Sequence, residues 1–206
     1  MILQSLVSSG WDINQHDAGD CNVYSKKPLH YVCYDESLVS WALDHDYHPG
    51  ACVPDHPSRC LHLLDTVALK GSVGTYELLA SLGAPRGLRT LHMAVSSCTN
   101  SNNSRMAMVK FLVDELEFDV NGLDTPGCLP DNWDPPLCYA ARWRSGHEEV
   151  VRFLLERGAN PTLNSAGRPN TVQVAELSGN QGVLAWLRQW VVADLLCLRL
   201  DPYRSS

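Results

Sequence analysis

Apolar positions in this chain recur at helical spacing in short paired runs, parted by turn residues. The stretch PPLCYAARWRSGHEEVVRFLLERGANP at 135–161 shows the pattern most completely. Pro135 and Pro136 suit a helix start, where a missing N–H leaves no helical bond unmade. Leu137, Ala140 and Ala141 form an apolar face of small residues that lets a neighbouring helix come close. Ser145 and Gly146 interrupt that face. Val150, Val151, Phe153, Leu154 and Leu155 then give a second one, and Gly158 stands where a C-cap belongs. The spacing predicts two short helices joined by a turn. Such a pair cannot bury its apolar faces alone, so the chain must repeat it.

The pattern does recur, at irregular intervals. LDTVALKG at 64–71 leads into TYELLASLGAP, and twelve positions separate Gly71 from Gly83 as they separate Gly146 from Gly158. Another copy begins at Thr90-Leu91-His92-Met93-Ala94 and resumes at MVKFLVDELEFDVN, 108–121. Lys27-Pro28-Leu29-His30-Tyr31-Val32 leads into SLVSWAL, 37–43, and VQVAELSG at 172–179 leads into GVLAWLRQW, 182–190. ILQSLVSSGWDIN, 2–14, reads as a second helix and exit turn lacking a first helix.

These residues resemble the ankyrin repeat, a unit of about 33 residues with a T-P-L-H-x-A signature. GHEEVVRFLLERGANP is the sharpest copy. Lys27-Pro28-Leu29-His30 and Thr90-Leu91-His92 match the start of a first helix. Gly10-Trp11-Asp12-Ile13-Asn14 and Phe118-Asp119-Val120-Asn121 match the exit turn. The resemblance covers about residues 2 to 190. It implies an all-α solenoid of stacked helix–turn–helix units with β-turn finger loops and an extended C-terminal capping helix. The expected single domain has a half repeat at 1–14, repeats at 27–49, 61–85, 89–121, 135–161 and 169–190, and a cap at 191–206. The resemblance also implies that His30 and His92 hydrogen-bond backbone between neighbouring units.

Anchoring each unit on its first-helix apolar residue gives Leu29, Leu64, Leu91, Leu137 and Val172, with spacings of 35, 27, 46 and 35. The short interval implies a trimmed connection near 85–89. The long one implies two insertions, the polar run SSCTNSNNSR at 96–105 and the finger GLDTPGCLPDNWDPP at 122–136. Insertions of this kind map to loops, often on the binding face.

Composition narrows the setting. Apolar residues make up 45% of the chain, an ordinary share for a folded protein, and no run approaches the length of a membrane span. The net charge of −7 disfavours nucleic acid or an anionic membrane as the main partner. Eight scattered cysteines form no disulfide framework, and no secretory signal is visible, so a reduced cytoplasmic or nuclear setting is expected.

Chemistry-bearing motifs are few. His45, His48, Cys52, His56, Cys60 and His62 place six potential zinc ligands within 18 residues, inside a finger loop. Zinc takes four nitrogen or sulfur ligands in a tetrahedron, which a loop of this length could supply. The spacing matches no zinc module and lacks Cys-x2-Cys, so a His-rich polar loop is the plainer reading. Phosphate loops, the GxSxG elbow and HExxH are absent. Asp44-His45-Asp46 sets an imidazole between carboxylates, but consecutive residues diverge on a helix.

Trp11, Tyr24, Trp133, Tyr139 and Trp143 fall in or beside fingers and first helices, with Arg142 and Arg144 flanking Trp143. Tyr, Trp and Arg are enriched at binding hot spots. Together they form the expected partner-binding face. Apolar residues in VLAWLRQWVVADLLCLRL, 183–200, run too long for an ordinary second helix, so this stretch must cap the last unit or bind something. The unpaired N-terminal half repeat is a candidate oligomerisation surface.

Two functions follow from these features. The first is a scaffold or adaptor that binds another protein through its concave face and fingers, with no intrinsic chemistry. The alternative is an enzyme or small-molecule binder whose pocket is closed by the loop insertions.

Overall fold

The computed structural model describes residues 2–15, 29–50, 62–98, 103–124, 134–143, 147–163 and 168–200, of which 2, 3, 103, 104 and 193–200 are described by backbone alone. The chain is helical, without strands among the described residues, and divides into two compact units. Among the described residues, those up to 94 form one and those from 95 onward form the other.

In the first unit, α1 (Ile2–Ser8) precedes two helix pairs, α2 (Leu29–Val32) with α3 (Glu36–Leu43), and α4 (Leu63–Lys70) with α5 (Val73–Ser81). The two first helices, α2 and α4, also pack together. Asp35 opens α3 by accepting from the N–H groups of Ser37 and Leu38, and Ser72 opens α5 by accepting from Thr75. Each cap satisfies backbone donors that a helix start leaves unpaired. Leu29, Val39, Leu64, Val67, Tyr76 and Leu79 are fully buried between the layers. Helix α6 (Thr90–Ser97) begins in this unit and ends in the other.

In the second unit, α7 (Asn103–Lys110) runs into a π-helical turn, Phe111–Glu115. Two pairs follow, α8 (Pro136–Ala141) with α9 (Glu148–Glu156), and α10 (Thr171–Ser178) with α11 (Gln181–Leu200). Helix α8 packs on α10 and α9 on α11, as stacked repeats require. Ala140, Ala141 and Ala175 are wholly buried, and their small side chains allow that approach. Asn170 and Gln173 form a reciprocal capping box at the start of α10. Helix α11 continues unbroken past Trp190. It is fastened by buried Val183, Leu184 and Leu187, while Trp186 and Val192 stay exposed. No helix among the described residues is long and apolar enough to cross a membrane.

The most regular features are the turns that follow the second helices. Gly10, Asp46, Gly83, Glu117 and Gly158 all adopt left-handed backbone, with φ of 93°, 61°, 81°, 54° and 86°. Their spacing is far more even than that of the first helices: 36 residues from Gly10 to Asp46, 37 to Gly83, 34 to Glu117 and 41 to Gly158. After each one an N–H reaches back into the helix: Trp11 to the Leu6 carbonyl, Tyr47 to Ala42, Ala84 to Leu79, Phe118 to Leu112 and Ala159 to Leu154. This is the Schellman closure, which satisfies carbonyls left open at a helix end.

Candidate functional site

The second unit carries a connected cluster of polar side chains. Asp124 and Asp134 stand at the two ends of the finger insertion and are both buried. The Asp134 N–H donates to Asp124 Oδ1 at 3.0 Å, which ties the ends together. From α8, the Tyr139 hydroxyl donates to Asp124 Oδ2. Arg142, one turn further on and with its guanidinium 5.2 Å from the Tyr139 ring centre, pairs with Asp134. Arg168, leading into α10, adds bonds from Nε at 3.2 Å and Nη2 at 3.3 Å to the two oxygens of Asp134. Two arginines on one buried carboxylate offset the cost of burying its charge. Cys138 lies on the same helix with its sulfur 3.1 Å from the Thr171 hydroxyl. Burial pushes its thiol up to about 11.

Trp143 follows directly and is 53% exposed. Its position is nevertheless fixed. Asn180 Nδ2 donates to the Trp143 carbonyl at 2.6 Å, the Ser178 hydroxyl donates to the Ala141 carbonyl at 2.8 Å, and the indole lies nearly parallel to His147 with centroids 6.2 Å apart. Of the residues expected to bind a partner, Tyr139, Arg142 and Trp143 therefore gather at one end of α8. Tyr139 and Arg142 are engaged within the network, and Trp143 faces solvent. Trp11 is half-buried in the first unit. Tyr24, Trp133 and Arg144 lie outside the described residues.

Of the expected zinc ligands, Cys52, His56 and Cys60 lie outside the described residues. His45 sits 2.8 Å from the Trp41 carbonyl through Nδ1 and stacks on the Trp41 ring at 4.2 Å. His48 uses its backbone N–H to bind Asn14, and His62 is the N-cap of α4. Among the described residues no three His, Cys, Asp or Glu side chains gather closely enough to hold a metal ion. His30 and His92 are both buried.

Sequence reasoning passed over two groups. The first is the pair Asp124 and Asp134. Their signal was available, since two acids bracket a Gly- and Pro-rich insertion that leads straight to a Tyr and an Arg one helical turn apart. The second is Asp65, which is buried in the first unit and accepts from the Thr90 hydroxyl at 2.6 Å. Gly87 lies against it so closely that a Cβ there would overlap both carboxylate oxygens. Burial raises the Asp65 pKa, while the Thr90 bond and the His62 and Arg89 charges oppose the rise. The signal for this pair is spatial only, because the partners are 25 residues apart.

Residues 64–165 match the family described as ankyrin repeats, in three copies. No curated protein matches the chain.

Proposed function

Because this chain belongs to the ankyrin-repeat family, whose members are in general protein-interaction modules, we propose that it is a scaffold or adaptor that binds another protein through the α8 end of its second unit. Trp143 carries this reading. A large aromatic side chain exposed to solvent but held by backbone and stacking contacts loses little freedom on binding, which is the profile of an interface anchor. The Asp124–Asp134 network supports the reading by fixing the ends of the finger insertion beside it. Among the described residues, the buried thiols of Cys33, Cys98 and Cys138 lie outside any disulfide, in keeping with a reduced cytoplasmic or nuclear setting.

Quantitative capture from cell extract, comparing the natural chain with Trp143→Ala, tests the proposal. The exposed ring contributes little to the core, so the variant should melt within a degree or two of the parent. Proteins retained by the parent should fall about tenfold or more on the variant. Equal retention of every protein by both chains would sink the proposal.

A further inference from the structure

The first unit holds a feature that Trp143 and the Asp124–Asp134 network do not use. Trp11 and Ile13 of the first exit turn, Leu29 and Val32 of α2, and Leu38 and Trp41 of α3 line a crevice of about 30 Å3. A water molecule needs about 10–15 Å3 measured this way, so the space admits the end of one aliphatic side chain. It is far below the several hundred Å3 of a small-molecule pocket. Trp41 also brings a donor. Its indole Nε1 is buried and has no hydrogen-bond partner among the described residues. Such a group is disfavoured until an acceptor reaches it. The indole cannot easily turn away, because His45 stacks on it and sits on its own carbonyl.

The lining itself is uncharged, and the segments that supply it are rich in acids. Asp12 lies between Trp11 and Ile13, Asp35 and Glu36 open α3, and Asp44 and Asp46 close it. Among the described residues no Lys or Arg precedes Lys70, and Lys26, Lys27 and Arg59 lie outside them. An apolar notch with one unpaired donor, set in an acid-rich part of the chain, selects its occupant by shape, hydrogen bonding and charge.

We propose that this crevice is a docking site for an extended protein segment that inserts one aliphatic side chain flanked by lysines or arginines. A backbone carbonyl of the segment accepts from the Trp41 indole. The proposal rests on the chain being a protein-binding module and names a second contact, with residues distinct from Trp143.

The test follows the indole N–H signals of the six tryptophans in 15N-labelled chain, assigned through single Trp→Phe variants. The probe is a peptide amide with one leucine between alanines, flanked on each side by three lysines or arginines. Trp41 and Trp11 should shift saturably. Affinity should fall about tenfold in 0.5 M salt, as expected for exposed charges, and about fivefold in Trp41→Phe. Val32→Phe, which fills the crevice, should abolish the shifts while leaving the melting temperature in place. A peptide with serine for leucine, or glutamates for the basic residues, should leave both signals still. Stationary Trp11 and Trp41 signals, or an equal response to the acidic peptide, overturn the docking site. Trp143→Ala should not change the peptide's affinity. If the Trp143 signal alone moves, protein binding through α8 stands and this site falls. If no indole moves and Trp143→Ala also keeps every captured protein, both fall.

Discussion

The turns that leave α9 and the α7 segment make the same exit with different materials. In α9, Leu154 lies four residues before Gly158, and the Ala159 N–H returns to Leu154 across five. In the α7 segment, Leu112 lies five residues before Glu117, and the Phe118 N–H returns to Leu112 across six. One extra residue has entered the second turn, and the helix absorbs it by widening into the π-helical stretch Phe111–Glu115. The left-handed position then falls on Glu, whose Cβ costs about 1 kcal/mol there, where Gly158 bears no such penalty. Yet both turns reach the same end. Asn121, four residues past Glu117, donates to the Gly158 carbonyl at 3.0 Å and accepts from the Asn160 N–H at 2.8 Å. Asn14, four past Gly10, makes the same two bonds to the Asp46 carbonyl and the His48 N–H. The array therefore conserves the geometry of its exits and tolerates irregularity inside the helices that lead to them.

Glycine stands in that position at two other exits, Gly50 and Gly87, and Thr162 at the last. The largest expected effect comes from Gly87→Ala. Its methyl would drive the Asp65 carboxylate from Thr90, and stability measured by urea unfolding should fall by about 3 kcal/mol. An unchanged midpoint would mean that Asp65 can move aside. Next comes Asn121→Ala, which removes two hydrogen bonds between neighbouring turns and should cost about 2 kcal/mol. Asn14→Ala should cost less if the two units unfold separately, which two transitions in calorimetry would reveal. Glu117→Gly should stabilise by about 1 kcal/mol while Gly158→Ala destabilises by a similar amount. The same sign for both would show that the two turns are not equivalent.

The smallest effect is one of pH. The native pKa of Asp65 is raised above its unfolded value, so its contribution to stability is full below about pH 4, near the unfolded pKa, and is lost as the pH rises through the native one. Relative to Asp65→Asn, the natural chain should therefore weaken as the pH climbs from about 4 towards neutrality. A parallel pair of stability curves would remove Asp65 from the account.

Much of the fold was legible because its signals are local. Apolar spacing located the helices, and Gly10-Trp11-Asp12-Ile13-Asn14 and Phe118-Asp119-Val120-Asn121 announced two exits. Measured at the first helices, however, the units look erratic, because both insertions fall in the single interval from Leu91 to Leu137, whereas the exits divide them between two intervals. The even count at the exits stayed hidden, since Asp46 and Glu117 occupy left-handed positions that a reader assigns to glycine. The candidate site was legible as residue types, not as contacts. Tyr139 and Arg142 were marked for a partner and turn out to be engaged with Asp124 and Asp134, acids that pattern alone leaves in a loop. Trp143, beside its turn, stays exposed to solvent.

The bond between the Asp134 N–H and Asp124 has a consequence for how this repeat can be altered. It joins two buried positions ten residues apart, and Tyr139, Arg142 and Arg168 close on the same two carboxylates. A change at either aspartate is therefore felt both in α8 and at the approach to α10, so the two acids must be varied together.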